Sequence, residues 1–253
     1  MSPGSRSARP GRRAAREPGA GSCPPDAVRP AGALEVPALV AVPAVLAACA
    51  YFQVEQGALL AVAVALVAVG VFFAGFEASR PALRQIMPTV VLAALAAAGR
   101  LLFAPVPSFK PVSAVCILAG AVFGRRSGFL VGALAALVSN FFLGQGPWTP
   151  WQMYAWGLVG YLAGVLADRG WLDRLPVLFA FGFSSALLYG LLLNGWYVIG
   201  FVQPFSWPAA LLAFGAALPF DATHGAATVA FLAALYVPWR KKLERIKRKY
   251  ALV

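Results

Sequence analysis

Asn140, Asn194, Asp221 and His224 stand inside long apolar stretches, where a polar side chain is costly and needs a partner or a task. Asp221 and His224 lie three residues apart just after Pro219. On a helix they share one face, and the proline frees a backbone carbonyl one turn earlier. Such a pair suits a hydrogen bond that ties two helices together, a proton relay, or a contact to a polar ligand. Metal binding does not fit, because His224 is the only histidine of the chain and a transition metal asks for several nitrogen or sulfur donors. Cys23, Cys49 and Cys116 make neither a disulfide framework nor a CxxC pair. An intramembrane hydrolase would pair Ser139 or Ser184 with His224. Ser139, however, sits in Val138-Ser139-Asn140 and not in the Gly-x-Ser-x-Gly turn that supplies oxyanion donors.

Three connecting segments carry the other candidates: Pro105 to Lys110, Gly144 to Gln152, and Gln203 to Pro208. Each mixes proline and aromatic residues with a few amide or hydroxyl groups and almost no charge. Any single Trp at a membrane boundary reads first as part of an aromatic belt. Trp148, Trp151 and Trp207 beside Gln145, Gln152 and Gln203 also have the composition of a pocket for a flat organic molecule, with aromatic walls and a few placed amides.

The elements that must position these residues are apolar helices. With 60% hydrophobic and 12% charged residues among 253 and a mean hydropathy of +0.75, the chain has too little polar surface for a compact soluble domain. Apolar stretches run at about 34–52, 57–76, 86–105, 111–124, 127–144, 149–167, 175–202 and 207–238. A helix needs ~20 residues to cross the ~30 Å hydrocarbon core, so eight crossings are expected, the fourth short and the last long enough to tilt or protrude. Residues 1–32 mix six arginines with Gly, Pro, Ser and Ala and read as a disordered basic tail. Arg12-Arg13 is not followed by the short apolar run of a twin-arginine signal.

The net charge of +12 does not point to nucleic acid, because the basic residues gather at the two ends and in short connections. The tail, Arg80 and Arg84, Arg125-Arg126, Arg169 and Arg174, and the closing run from Arg240 to Lys249 fall on one side of an eight-helix topology. The positive-inside rule makes that side cytoplasmic, with both termini there, in a multi-pass bacterial cell membrane protein. On the third helix Ala93/Ala97 and Ala94/Ala98 form the small-xxx-small spacing that lets another helix come close.

From about residue 86 to 245 the sequence resembles the substrate-binding S components of energy-coupling factor (ECF) vitamin transporters. The residues that carry the resemblance are Arg100-Leu101-Leu102-Phe103 ending the alanine-rich helix, Lys110-Pro111-Val112, Ile117 to Gly124, Gly128 to Ala133, and Ser139-Asn140-Phe141. The run Gly144-Gln145-Gly146-Pro147-Trp148-Thr149-Pro150-Trp151-Gln152-Met153 is the most specific, followed by Leu218 to His224 and Leu243 to Tyr250. The resemblance implies an all-α membrane fold: a six-helix bundle over 81–240, here preceded by two extra transmembrane helices over 33–80 and followed by a basic cytoplasmic tail over 241–253. It implies a transport component, not an enzyme, that binds a vitamin or related organic micronutrient from outside. Transport then needs a transmembrane coupling subunit and two ATP-binding cassette subunits. The chain has no Gly-x-x-x-x-Gly-Lys-Ser/Thr motif with which to bind ATP itself, and no cofactor is expected.

With that role, the polar membrane residues and the aromatic connections place the expected substrate among Asn140, Gln145, Trp148, Trp151, Gln152, Trp156, Asn194, Asp221 and His224. The resemblance places the coupling-subunit contact at Ala93, Ala94, Ala97 and Ala98, and a gating loop at Pro105 to Lys110 with Phe109 and Lys110. The nickel and cobalt members carry a metal-binding histidine near the amino terminus, which is missing here. An organic substrate is therefore expected, with cobalamin-related compounds, flavins and thiamin all open. The extra helices are not standard and are expected to pack on the bundle or touch the coupling subunit. A structural membrane scaffold is the remaining alternative.

Overall fold

The structure, a computed structural model, describes residues 31–52, 57–78, 83–202 and 205–249. The expected basic tail falls outside them except for positions 31 and 32, as do Arg80 and Gln203. Among the described residues the chain forms eight helices: α1 Ala31–Phe52, α2 Gly57–Ala78, α3 Leu83–Leu102, α4 Val112–Phe123, α5 Arg125–Leu143, α6 Thr149–Asp168, α7 Leu175–Phe201 and α8 Trp207–Lys249. They coincide with the eight apolar stretches. Residues 241–249, read from sequence as a tail, continue α8 as helix.

Leu59, Val67, Phe141, Phe142, Leu211 and Leu212 all point outward, which water would penalise and a bilayer does not. Segments of α1, α5, α7 and α8 are each long and apolar enough to cross a membrane. The chain is thus a multi-pass membrane protein. Helix α4 has 12 residues, ~18 Å at 1.5 Å per residue, and falls short of the ~30 Å core. It is buried along most of its length instead, a central post wrapped by its neighbours.

Local chemistry sets the breaks. Gly124 and Gly144 adopt φ of 88° and 108°, a conformation that costs residues with a Cβ far more than glycine. Their N–H groups still donate to Gly120 and Asn140, closing the last turns of α4 and α5. Pro150 lies in the first turn of α6, where a missing N–H costs nothing.

The closest packing is between α5 and α6. A Cβ at Gly160 would stand against the Gly128 carbonyl, and one at Gly132 against the Trp156 backbone. The glycines let two backbones meet directly, as small residues do in membranes, and so fix how α6 presents its side chains to α5.

Helices α1 and α2 form a hairpin that packs on the bundle. Phe72 stacks on Phe129 with centroids 3.8 Å apart and meets Tyr161 edge-on at 5.5 Å. Pro43 has no N–H for the Leu39 carbonyl four residues earlier, and the Tyr154 hydroxyl of α6 donates to that carbonyl at 2.5 Å. At one end of the hairpin the buried Glu35 pairs with Arg126 at the start of α5. At that same end Arg240 pairs with Asp173 and Lys247 donates to the Val122 carbonyl at 2.8 Å. The ends of α4, α6 and α8 and the starts of α1, α5 and α7 therefore share one basic pole of the molecule.

Candidate functional site

At the opposite pole, where α3 ends, Arg100 is the organising residue. It is only 8% exposed, and every partner it has is neutral. Its Nη1 donates to Ser139 Oγ and to Asn140 Oδ1, both at 2.6 Å, and its Nη2 to Gln152 Oε1 at 3.2 Å. The guanidinium lies over the Trp156 ring, 4.9 Å from the centroid, and Nε has no hydrogen-bond partner. Charge-assisted bonds of this length are the strong ones.

The Gly144 to Gln152 run builds the support for this guanidinium. Asn140 Nδ2 donates to Thr149 Oγ1 at 3.0 Å and to Gln152 Oε1 at 2.8 Å, which turns Asn140 Oδ1 towards Arg100. Thr149 is held in turn by the Gly146 N–H at 3.3 Å and donates to Gln145 Oε1 at 2.8 Å. Gln145 also donates to the Leu137 carbonyl and stays exposed, on the rim. Gln152 and Trp156, four apart, share a face of α6 and both reach the centre.

A second polar chain meets the first at Trp156. The indole Nε1 donates to Ser113 Oγ at 3.2 Å, and Ser113 Oγ lies 2.8 Å from His224 Nε2. With its oxygen accepting from the indole, the serine hydroxyl can give its proton to His224 Nε2. Tyr189 of α7 stacks on Trp156 with centroids 4.7 Å apart and meets His224 edge-on at 5.2 Å.

Between these groups is a cavity of about 200 Å³, lined by Arg100, Ser108, Lys110, Gln152, Trp156, Tyr189 and His224. Its cover is the connection between α3 and α4. Phe109 packs against Phe103 and Phe231 at centroid distances of 6.0 and 5.2 Å, and Phe103 against Phe231 at 5.2 Å, pinning the loop to α8. Ser108, with φ of 55°, takes the left-handed conformation that turns the chain over the cavity. Burial and the nearby Arg100 guanidinium lower the Lys110 ammonium pKa from its ordinary value.

Of the residues expected from sequence, Gln152, Trp156, His224 and Lys110 line the cavity, and Asn140 stands just behind it. Trp148 is 41% exposed on the connection between α5 and α6. Trp151 is fully buried and faces Trp196, 6.4 Å away, because five residues of helix separate its direction from that of Trp156. Asp221 and His224 share a face without bonding each other: His224 goes to Ser113, while Asp221 accepts from Asn194 at 3.3 Å, over Gly190. The hydrolytic pairs do not form either, since Ser139 donates to the Ala135 carbonyl and Ser184 to the Ala180 carbonyl. On α3, Ala93 and Ala97 are buried inside the bundle and Ala94 and Ala98 are exposed, so only the second register is open to another protein.

Sequence reasoning missed Arg100, Ser113 and Tyr189 as site residues, and had Ser108 only as part of the Pro105 to Lys110 loop. The signal for Arg100 was present, a lone cation closing an alanine-rich membrane helix; Tyr189, in Leu188-Tyr189-Gly190, carried none.

The family model described as ECF-type riboflavin transporter, S component, matches residues 81–237, more than half of the chain. Helices α1 and α2 lie outside the match. A cobalamin-related substrate gains no support from it, because the matching family is the riboflavin type. No solved structure matches the chain.

Proposed function

The chain belongs to that family, the S components of ECF-type riboflavin transporters, and from this premise we propose that the cavity beneath the 103–111 loop binds a flavin. S components are transport subunits and not enzymes. The observation that carries the reading is the stacked Trp156–Tyr189 pair converging with Arg100 and Gln152 on one cavity. Aromatic faces suit a planar ring system, and Gln152 with the Arg100 N–H groups suits its carbonyl and ring-nitrogen acceptors.

The basic pole lies in the cytoplasm, as basic residues favour, and the cavity faces outside. A volume near 200 Å³ is below the ~300–1,000 Å³ of sites for organic ligands. The cavity must therefore widen: the ligand enters with the Phe109–Lys110 loop lifted, and the loop settles over it further out than it stands here. Asn140, Gln145 and Thr149 act behind the cavity by holding Arg100 and Gln152 in place. Release inward requires the transmembrane coupling subunit and two ATP-binding cassette subunits, and the exposed Ala94/Ala98 face of α3 is the docking register for the coupling subunit.

Titration of the purified protein in mild detergent with riboflavin, read by quenching of flavin fluorescence, tests this. Saturable one-to-one quenching is expected, abolished by Trp156→Ala and weakened by Gln152→Ala. Absence of quenching in the unaltered protein, with its helical content intact, would overturn the flavin assignment.

A further inference from the structure

We propose that the ligand of this cavity is anionic, a flavin bearing a phosphate ester in preference to the neutral vitamin. The proposal rests on the flavin reading and on two cations that face the same cavity without a counterion. Arg100 and Lys110 both line it, and among the described residues no carboxylate does.

Among the described residues no other side chain supplies the missing charge. Arg100 is bound only by the hydroxyl of Ser139 and the amides of Asn140 and Gln152. Lys110 Nζ reaches nothing closer than the Val106 carbonyl at 3.5 Å. Among the described residues the acids lie elsewhere. Glu35 is paired with Arg126, and Asp173 and Glu244 with Arg240, all at the basic pole. Glu77 and Asp168 close α2 and α6, away from the Arg100 end. Asp221 is the acid nearest the cavity. It accepts from Asn194, sits over Gly190 and stops outside the lining.

A buried guanidinium without an opposite charge is unfavourable, and the Lys110 ammonium on the covering loop, facing the same cavity, is repelled by it. Neutral ring carbonyls would satisfy hydrogen bonds here but would leave both charges uncompensated. An anion in the cavity would supply the opposite charge that the surrounding neutral groups do not, above all to the Lys110 ammonium, whose one hydrogen bond is the long contact to Val106. A guanidinium fork beside a lysine point charge is a pairing that suits phosphate oxygens. Lys110 sits on the covering loop, so an anion in the cavity would also draw that loop shut.

The experiment compares riboflavin with riboflavin 5′-phosphate in the same fluorescence titration, for the unaltered full chain, Lys110→Gln and Lys110→Arg. The readout is the ratio of the two affinities, so a general loss of folding or binding does not imitate the result. The phosphate ester is expected to bind at least ~10-fold more tightly, with the ratio collapsing towards unity in Lys110→Gln and persisting in Lys110→Arg. Riboflavin binding as tightly as its phosphate, or a ratio indifferent to Lys110→Gln, overturns the anionic ligand and leaves the flavin reading standing. Failure of both compounds to bind overturns the two together.

Discussion

Replacing Phe109 by alanine separates the covering loop from the rest of the site. In the closed structure the Phe109 ring touches Phe103 at 6.0 Å and Phe231 at 5.2 Å, and none of these three rings lines the cavity. Aromatic contacts of this kind contribute ~0.5–1.5 kcal/mol each beyond their burial, so Phe109→Ala destabilises the closed loop by ~1–3 kcal/mol. At ~1.4 kcal/mol per factor of ten, a ligand trapped beneath the loop escapes ~5- to 150-fold faster. The assay is stopped-flow recovery of flavin fluorescence after rapid dilution of the loaded protein. A Phe109→Ala, Phe231→Ala double-mutant cycle then isolates the contact the two rings share. An unchanged dissociation rate in Phe109→Ala, with equilibrium affinity retained, would refute the account of this loop as the closing element.

Two further predictions address the scaffold. Gly160→Ala forces a Cβ against the Gly128 carbonyl, backbone that cannot give way as a side chain can, and is expected to lower stability by ~1–3 kcal/mol or more in thermal denaturation in detergent, with ligand affinity falling as Trp156 shifts. Tyr154→Phe removes the only hydroxyl seen on the Leu39 carbonyl that Pro43 leaves free. It should cost ~1 kcal/mol and raise hydrogen exchange in α1 while amides of α4 and α6 keep their protection; equal loosening of the whole bundle would contradict a local contact.

The eight helices were legible because each requirement on them is local. A bilayer demands runs of apolar residues, and the breaks fall at Gly124, Gly144 and Pro150, where the local backbone conformation favours these residue types. The Gly144 to Gln152 run was also legible as important, and Asn140, Gln152 and His224 were named from their cost at membrane depth or their place in that run, with Trp156 added as an aromatic face for the expected substrate. What each does was not. Trp148, Trp151 and Trp156 look alike in sequence, yet one lies at the rim, one in the core and one on the cavity, because the direction of a side chain depends on the rotation of α6, and the glycine contact with α5 sets that rotation.

The same limit explains Asp221 and His224. Their spacing fixed a common face, but their partners, Asn194 and Ser113, come from α7 and α4, and no sequence interval records which helices lie alongside. The amino-acid sequence by itself determined the solvent, the helices and the cost of every buried polar group. Only the tertiary structure decided that Arg100 gathers Ser139, Asn140, Gln152 and Trp156 from two other helices. Hydrophobic periodicity is a property of one helix, whereas a binding cavity is a property of the gaps between several.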